Sequence, residues 1–130
     1  MTSPRLRTRI IAVIDDDHRL RESLEDLLEA AGYGVRLFCS AEEFLDSRIA
    51  DVDCVLSDIG MPGADGFELQ YLVGRLRPTL PVLLISGRHE YATAEFEAAR
   101  GGRRIFGKPF DRRELLSAIA AELQAPDDAP

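Results

Sequence analysis

Short apolar runs alternate along this chain with stretches of helical spacing, and five such runs occur. Strands that alternate with helices through short connections close into a parallel sheet with helices on its faces, so this pattern restricts the fold more than any other feature. The first run is Ile10 to Ile14, β-branched and bounded by charge. Leu20, Leu24, Leu27, Leu28 and Ala31 then mark one helical face, with Gly32 as its stop. Gly34 to Phe38 makes a second strand, and Ser40-Ala41-Glu42-Glu43 has capping-box spacing ahead of Phe44 and Leu45, the buried face of a brief helix. Val52 to Ser57 is the third strand and Pro81 to Ile85 the fourth, nearly continuous in apolar residues, as a strand covered on both faces would be. Between them lie a turn-rich loop, residues 61–66, and a helical face of Leu69, Leu72, Val73 and Leu76. An alanine-rich helix is expected over 91–100, a short fifth strand over 104–106, and a last helix capped by Asp111 and Glu114 with Leu115, Leu116, Ile119 and Leu123 inward.

A chain of 130 residues suits one α/β domain with one real core. Residues 9–123 are read as that domain, 1–8 as an N-terminal extension and 124–130 as a flexible tail. The formal net charge of -7 argues against direct nucleic-acid binding, which needs a basic footprint, and against anionic membranes. No apolar run approaches the roughly 18 residues of a membrane helix. The run after the N-terminal arginines is too short and too closely followed by aspartates for a signal peptide. Cys39 and Cys54 lack metal or redox spacing and are expected to be buried thiols, which with the missing leader implies a cytoplasmic protein.

The chemistry-bearing residues collect just after the strands. Asp15-Asp16-Asp17 follows the first, Asp58-Ile59-Gly60 the third, Ser86-Gly87 the fourth, and Gly107-Lys108-Pro109 the fifth. In an open parallel sheet these carboxyl ends share one edge, the edge where ligands bind. Carboxylates gathered there repel one another, and a bound cation resolves the conflict. Hard oxygen donors with room for water suit Mg²⁺. Lys108 is the only lysine among sixteen cationic residues. An ammonium is a compact point charge suited to a phosphoryl oxygen, and Ser86 could donate to another. The set fits phosphoryl transfer with a carboxylate nucleophile. Asp17 is expected to cap the first helix, and His18 to be solvated, since no second histidine has metal spacing.

Val13-Ile14-Asp15-Asp16, Asp58 with Met61-Pro62-Gly63-Ala64-Asp65-Gly66, Ser86-Gly87 and Lys108-Pro109-Phe110 together resemble the receiver domain of bacterial two-component response regulators. The resemblance spans roughly residues 9 to 123. Ser86-Gly87-Arg88-His89 and Ser40 to Leu45 look most like receivers of the nitrogen-fixation transcription regulators. The resemblance implies a flavodoxin-like, doubly wound, five-stranded parallel sheet in the order 2-1-3-4-5. It implies that Asp58 accepts a phosphoryl group from a sensor histidine kinase, a histidine phosphotransfer protein or a small acyl phosphate. It further implies Mg²⁺ held by Asp16, Asp58 and the Gly60 carbonyl, with Asp15 acting through water. Lys108 and Ser86 would contact the phosphoryl group, and the Lys108–Pro109 bond is commonly cis in the family. The chain would be a phosphoacceptor rather than an enzyme, either standing alone or cut from a transcription factor or hybrid kinase, and a homodimer is compatible with it.

Two departures from the family pattern stand out. The switch position three residues before the lysine, usually aromatic, is Ile105, whose β-branched side chain cannot swing as a ring does. Phe106 is adjacent but should face the other side of the strand. Gly101-Gly102-Arg103-Arg104 is also more flexible and more basic than the usual approach to this strand. Two alternatives follow: a pseudo-receiver that docks partners with altered switching, and an aspartyl-phosphate phosphatase. The second is disfavoured by Gly60, which stands where such enzymes carry another acid.

Overall fold

Alternate residues of the apolar runs feed two separate cores, which is what a sheet covered on both faces requires. The computed structural model describes residues 8–60, 63, 65–87, 105–108 and 110–124. Its strands are β1 (Ile10–Ile14), β2 (Gly34–Phe38), β3 (Cys54–Asp58), β4 (Val82–Ser86) and β5 (Ile105–Gly107). They form one sheet in the order β2-β1-β3-β4-β5, parallel at every pairing. The helices are α1 (His18–Ala30), α2 (Ala41–Leu45), α3 (Gly66–Leu76) and α4 (Arg112–Gln124). Ala12, Ile14, Val55, Leu84 and Ile105 join Phe44 of α2 and Leu69 and Val73 of α3 in one cluster. Ile11, Val13, Leu56, Ile85 and Phe106 join Leu24 and Leu28 of α1 and Leu115 and Ile119 of α4 in the other. Ile105 and Phe106 therefore face opposite sides of the sheet, as strand alternation demands.

Helix starts follow side-chain capping. Asp17 caps α1, its carboxylate accepting from the N–H groups of Arg19 and Leu20. Ser40 caps α2 through the Glu43 N–H, while the Glu43 carboxylate turns back to the Cys39 N–H. Asp65 and Glu68 complete a capping box at α3. Asp111 Oδ1 accepts from the N–H groups of Arg113 and Glu114. After α1 the chain reverses at Gly32, whose φ of 97° lies in the left-handed region that suits glycine.

Several local expectations need correction. β3 begins at Cys54 rather than Val52, because Ile49–Asp51 forms a 3-10 turn and the Val52 carbonyl accepts from the Arg77 guanidinium at 2.7 Å instead of entering the ladder. It ends at Asp58, which pairs with Ile85. β4 runs from Val82 to Ser86; Pro81 contributes only its carbonyl, to the Val55 N–H. β5 extends to Gly107, opposite Ser86. Ala31 is exposed just past α1, and Leu72 and Leu76 are exposed because α3 turns Phe67, Leu69 and Val73 toward the core instead. Cys39 is exposed as well, one residue beyond β2 at the carboxyl edge; Cys54 is buried, and burial pushes its thiol up to about 12. The helix expected over 91–100, residues 1–7, 101–104 and 125–130, and the Lys108–Pro109 bond lie outside the described residues.

Candidate functional site

Parallel pairing places the ends of β1, β3, β4 and β5 along one edge, and the polar residues of all four strands meet there. One carboxylate oxygen each from Asp15, Asp16 and Asp58 lies within 4.8 Å of the others. Asp15 and Asp58 are buried and Asp16 is exposed, so the cluster opens to solvent on one side. Lys108 Nζ lies 3.1 Å from Asp58 Oδ1 and 3.4 Å from Asp15 Oδ2. Ser86 is buried at the end of β4, beside Gly107 of β5. Gly60 is exposed, two residues past Asp58. Sequence reasoning thus named Asp15, Asp16, Asp58, Ser86 and Lys108, and the fold brings all five to one edge.

The charges in the cluster are unbalanced, and burial intensifies the conflict. Burial, reinforced by the Asp58 charge, holds the Asp15 carboxyl above its usual range despite the Asp17 N–H and Lys108. Burial also works against the Lys108 ammonium, but the Asp15 and Asp58 carboxylates outweigh it and raise its pKa. Three carboxylates face one ammonium. A second cation would complete the neutralisation, and an all-oxygen donor set open to water on one side fits Mg²⁺. His18 takes no part: it is exposed, with Nε2 3.0 Å from Glu22.

Two residues that support the site were not singled out from sequence. Arg21, in the first turns of α1, donates from NH1 to the Asp15 backbone carbonyl at 2.6 Å. From sequence, Gly66 belongs only to the turn-rich loop of residues 61–66. A Cβ there would stand 2.7 Å from the Asp58 carbonyl oxygen and 2.9 Å from Ile59 Cα, so α3 can start this close to the Asp58 backbone only with glycine. A glycine directly after an aspartate cap, at the first position of a helix, is the signal that could have exposed it.

The family model for the response regulator receiver domain matches residues 11–120. The chain belongs to the receiver domain family. It is 36% identical over 120 residues to the transcriptional regulatory protein FixJ of Bradyrhizobium diazoefficiens, covering 92% of this chain and 58% of that protein. It is 34% identical over 119 residues to the response regulator protein TodT of Pseudomonas putida, covering 91% and 52%. The receiver thus spans about half the length of these curated relatives. Among solved structures, the response regulator StyR superposes with a TM-score of 0.80 at 31% identity, over 94% of this chain and 62% of that one. The response regulator TrrA of Thermotoga maritima, solved in complex with Mg²⁺ and BeF, gives a TM-score of 0.77 at 26% identity, over 89% and 100%. The resemblance to nitrogen-fixation-type receivers and the flavodoxin-like sheet order are both upheld. Receiver domains are regulatory signalling modules of two-component systems rather than classical enzymes. No described helix is long and apolar enough to cross a membrane.

Proposed function

We propose that this receiver, residues 9–123, is a Mg²⁺-dependent phosphoacceptor whose phosphorylation site is Asp58. The observation that carries the proposal is the Asp58 carboxylate held 3.1 Å from Lys108, with oxygens of Asp15 and Asp16 within 4.8 Å. Asp16, Asp58 and the Gly60 carbonyl would hold the metal, with Asp15 acting through water. Bound there, Mg²⁺ supplies charge neutralisation for the incoming phosphoryl oxygens. A carboxylate oxygen of Asp58 attacks phosphorus. The bond from phosphorus to the donor breaks, and the donor's imidazole or acyl oxygen leaves with the electron pair. Lys108 offers an ammonium to a phosphoryl oxygen, and the Ser86 hydroxyl donates to another. The donor is a sensor histidine kinase, a histidine phosphotransfer protein or a small acyl phosphate, in the cytoplasm.

Incubation with acetyl phosphate and Mg²⁺ should add one phosphoryl group to the wild type, seen by intact mass, and none to Asp58→Asn. Equal labelling of the variant would sink the assignment. A second reading rests on Ile105, which is 4% exposed and packed in the α2–α3 core, where a stiff aliphatic chain has no ring to rotate. On that reading the domain docks partners with altered switching. A Mg²⁺-dependent spectral change on beryllofluoride titration supports the switching receiver; its absence supports the docking module.

A further inference from the structure

Every polar atom of Asp15 is engaged. Its N–H donates to the Phe38 carbonyl at 3.1 Å, Oδ1 accepts from the Asp17 N–H at 2.8 Å, and Oδ2 accepts from Lys108 at 3.4 Å. Its carbonyl accepts from Arg21 NH1 at 2.6 Å. The last contact differs in kind from the others. The Asp15 carbonyl and the Asp16 N–H belong to one rigid peptide plane that ends at the Asp16 Cα, so a guanidinium that pins the carbonyl also fixes the position of that Cα and the N–Cα axis about which the Asp16 side chain turns. Asp16 needs such help, because its carboxylate is exposed and no hydrogen bond holds it among the described residues. The two buried carboxylates are aimed by Lys108 and by the strands; Asp16 is aimed only by the turn that carries it.

The anchor is well placed for this. Arg21 sits one turn into α1, and α1 is itself fixed by the Asp17 cap and by Leu24 and Leu28 in the core. Its side chain is half-buried, so its geometry is restricted at both ends. A charge-assisted bond from a planar fork to a backbone carbonyl is stronger and more directional than a neutral one. Among the described residues no carboxylate lies within ion-pair distance of Arg21, and its other contact is His18 Nδ1 at 3.5 Å. A guanidinium spent on a carbonyl rather than on a neighbouring glutamate points to geometry as its task.

We infer that Arg21 is a positioning residue for the metal site: it clamps the Asp15–Asp16 peptide so that the exposed Asp16 carboxylate is aimed at the cation held between Asp16 and Asp58. The inference rests on the Mg²⁺-dependent reading of the site proposed above. Removing a group that orients a metal ligand lowers metal affinity without removing a ligand.

The test is a Mg²⁺ titration followed by thermal melting, with Mn²⁺ binding by electron paramagnetic resonance as a second readout, since the chain has no tryptophan to report quenching. For Arg21→Ala the concentration giving half of the metal-induced shift should rise about tenfold. Arg21→Lys, which keeps a charged donor, should fall between Arg21→Ala and wild type. Arg19→Gln, an equal loss of charge at an exposed neighbouring position, should match wild type. Labelling by acetyl phosphate at saturating Mg²⁺ should recover in Arg21→Ala. If wild type and Arg21→Ala share one half-saturation point, or if Arg19→Gln weakens binding equally, the positioning role is overturned while the phosphoacceptor reading stands. If wild type shows no response to either metal, that reading falls and the positioning role falls with it. Should Arg21→Ala melt too low to titrate, the Arg21→Lys and wild-type curves alone decide, coincidence counting against the inference.

Discussion

Lys108 reaches across the end of β4 to place its ammonium 3.1 Å from the Asp58 carboxylate. β5 and β3 are not neighbours, and strands two places apart in a sheet stand about 10 Å from one another. Only a long, flexible side chain just beyond β5 can close that gap. The same ammonium also meets Asp15, which follows β1, so one cation ties together three strand ends.

This pairing makes Lys108 a stand-in for a metal. In Lys108→Ala the buried Asp15 and Asp58 lose their counter-charge, and the metal-free protein should melt lower, by a few kcal/mol in stability, on the scale of about 3 kcal/mol for breaking a buried pair. The stabilisation gained on adding Mg²⁺ should then exceed that of wild type, because the metal meets carboxylates no longer shared with an ammonium. A smaller gain in calorimetry would contradict this.

Burial raises the Asp15 carboxyl above its ordinary value of 3.8, which fixes the sign of a pH effect. For a raised acid, its contribution to stability is complete below the unfolded-chain value and is lost as the pH climbs through the folded-state value. Without metal, the Asp15 contribution to stability should therefore fall away as pH rises above about 4. Asp15→Asn should flatten that decline and raise the metal-free Tm at pH 7, even though Mg²⁺ no longer stabilises it fully. A lower Tm than wild type would show that the Lys108 pair outweighs burial.

Gly66→Ala should disturb the Asp58 backbone specifically. The added Cβ meets backbone atoms at 2.7 and 2.9 Å, which cannot swing aside as a side-chain tip can. The expected cost is about 1–3 kcal/mol by chemical denaturation, with slower labelling of Asp58 at saturating Mg²⁺. Gly74→Ala, in open space on the same helix, should be neutral or slightly stabilising. Equal behaviour of the two variants would remove close approach as the explanation.

The two thiols should separate cleanly. Cys39 is exposed, whereas Cys54 is buried with its pKa pushed up to about 12, first by burial and then by the Glu122 and Asp53 charges. Iodoacetamide at pH 8 should modify Cys39 in the native protein and Cys54 only in denaturant, read by peptide mass mapping. Native labelling of Cys54 would mean that this side of the sheet opens readily.

The sequence alone determined how many strands there are and their succession along the chain, because short apolar runs broken by capping residues leave little choice of local structure. It also placed Asp15, Asp16, Asp58, Ser86 and Lys108 at strand ends, since in a parallel sheet the polar residue that closes each apolar run falls on the same edge. Arg21 stayed hidden because its target is the Asp15 backbone carbonyl, which leaves no trace in residue identity, whereas Gly66, set against the Asp58 carbonyl, left only the glycine after the aspartate cap as its signal. The exposure of Cys39 and Leu76 was hidden too, because an apolar residue becomes core only if another element covers it. Tertiary structure decided those points, and it alone set the distance from Lys108 to Asp58, because a side chain's reach across a strand depends on where the sheet places both ends.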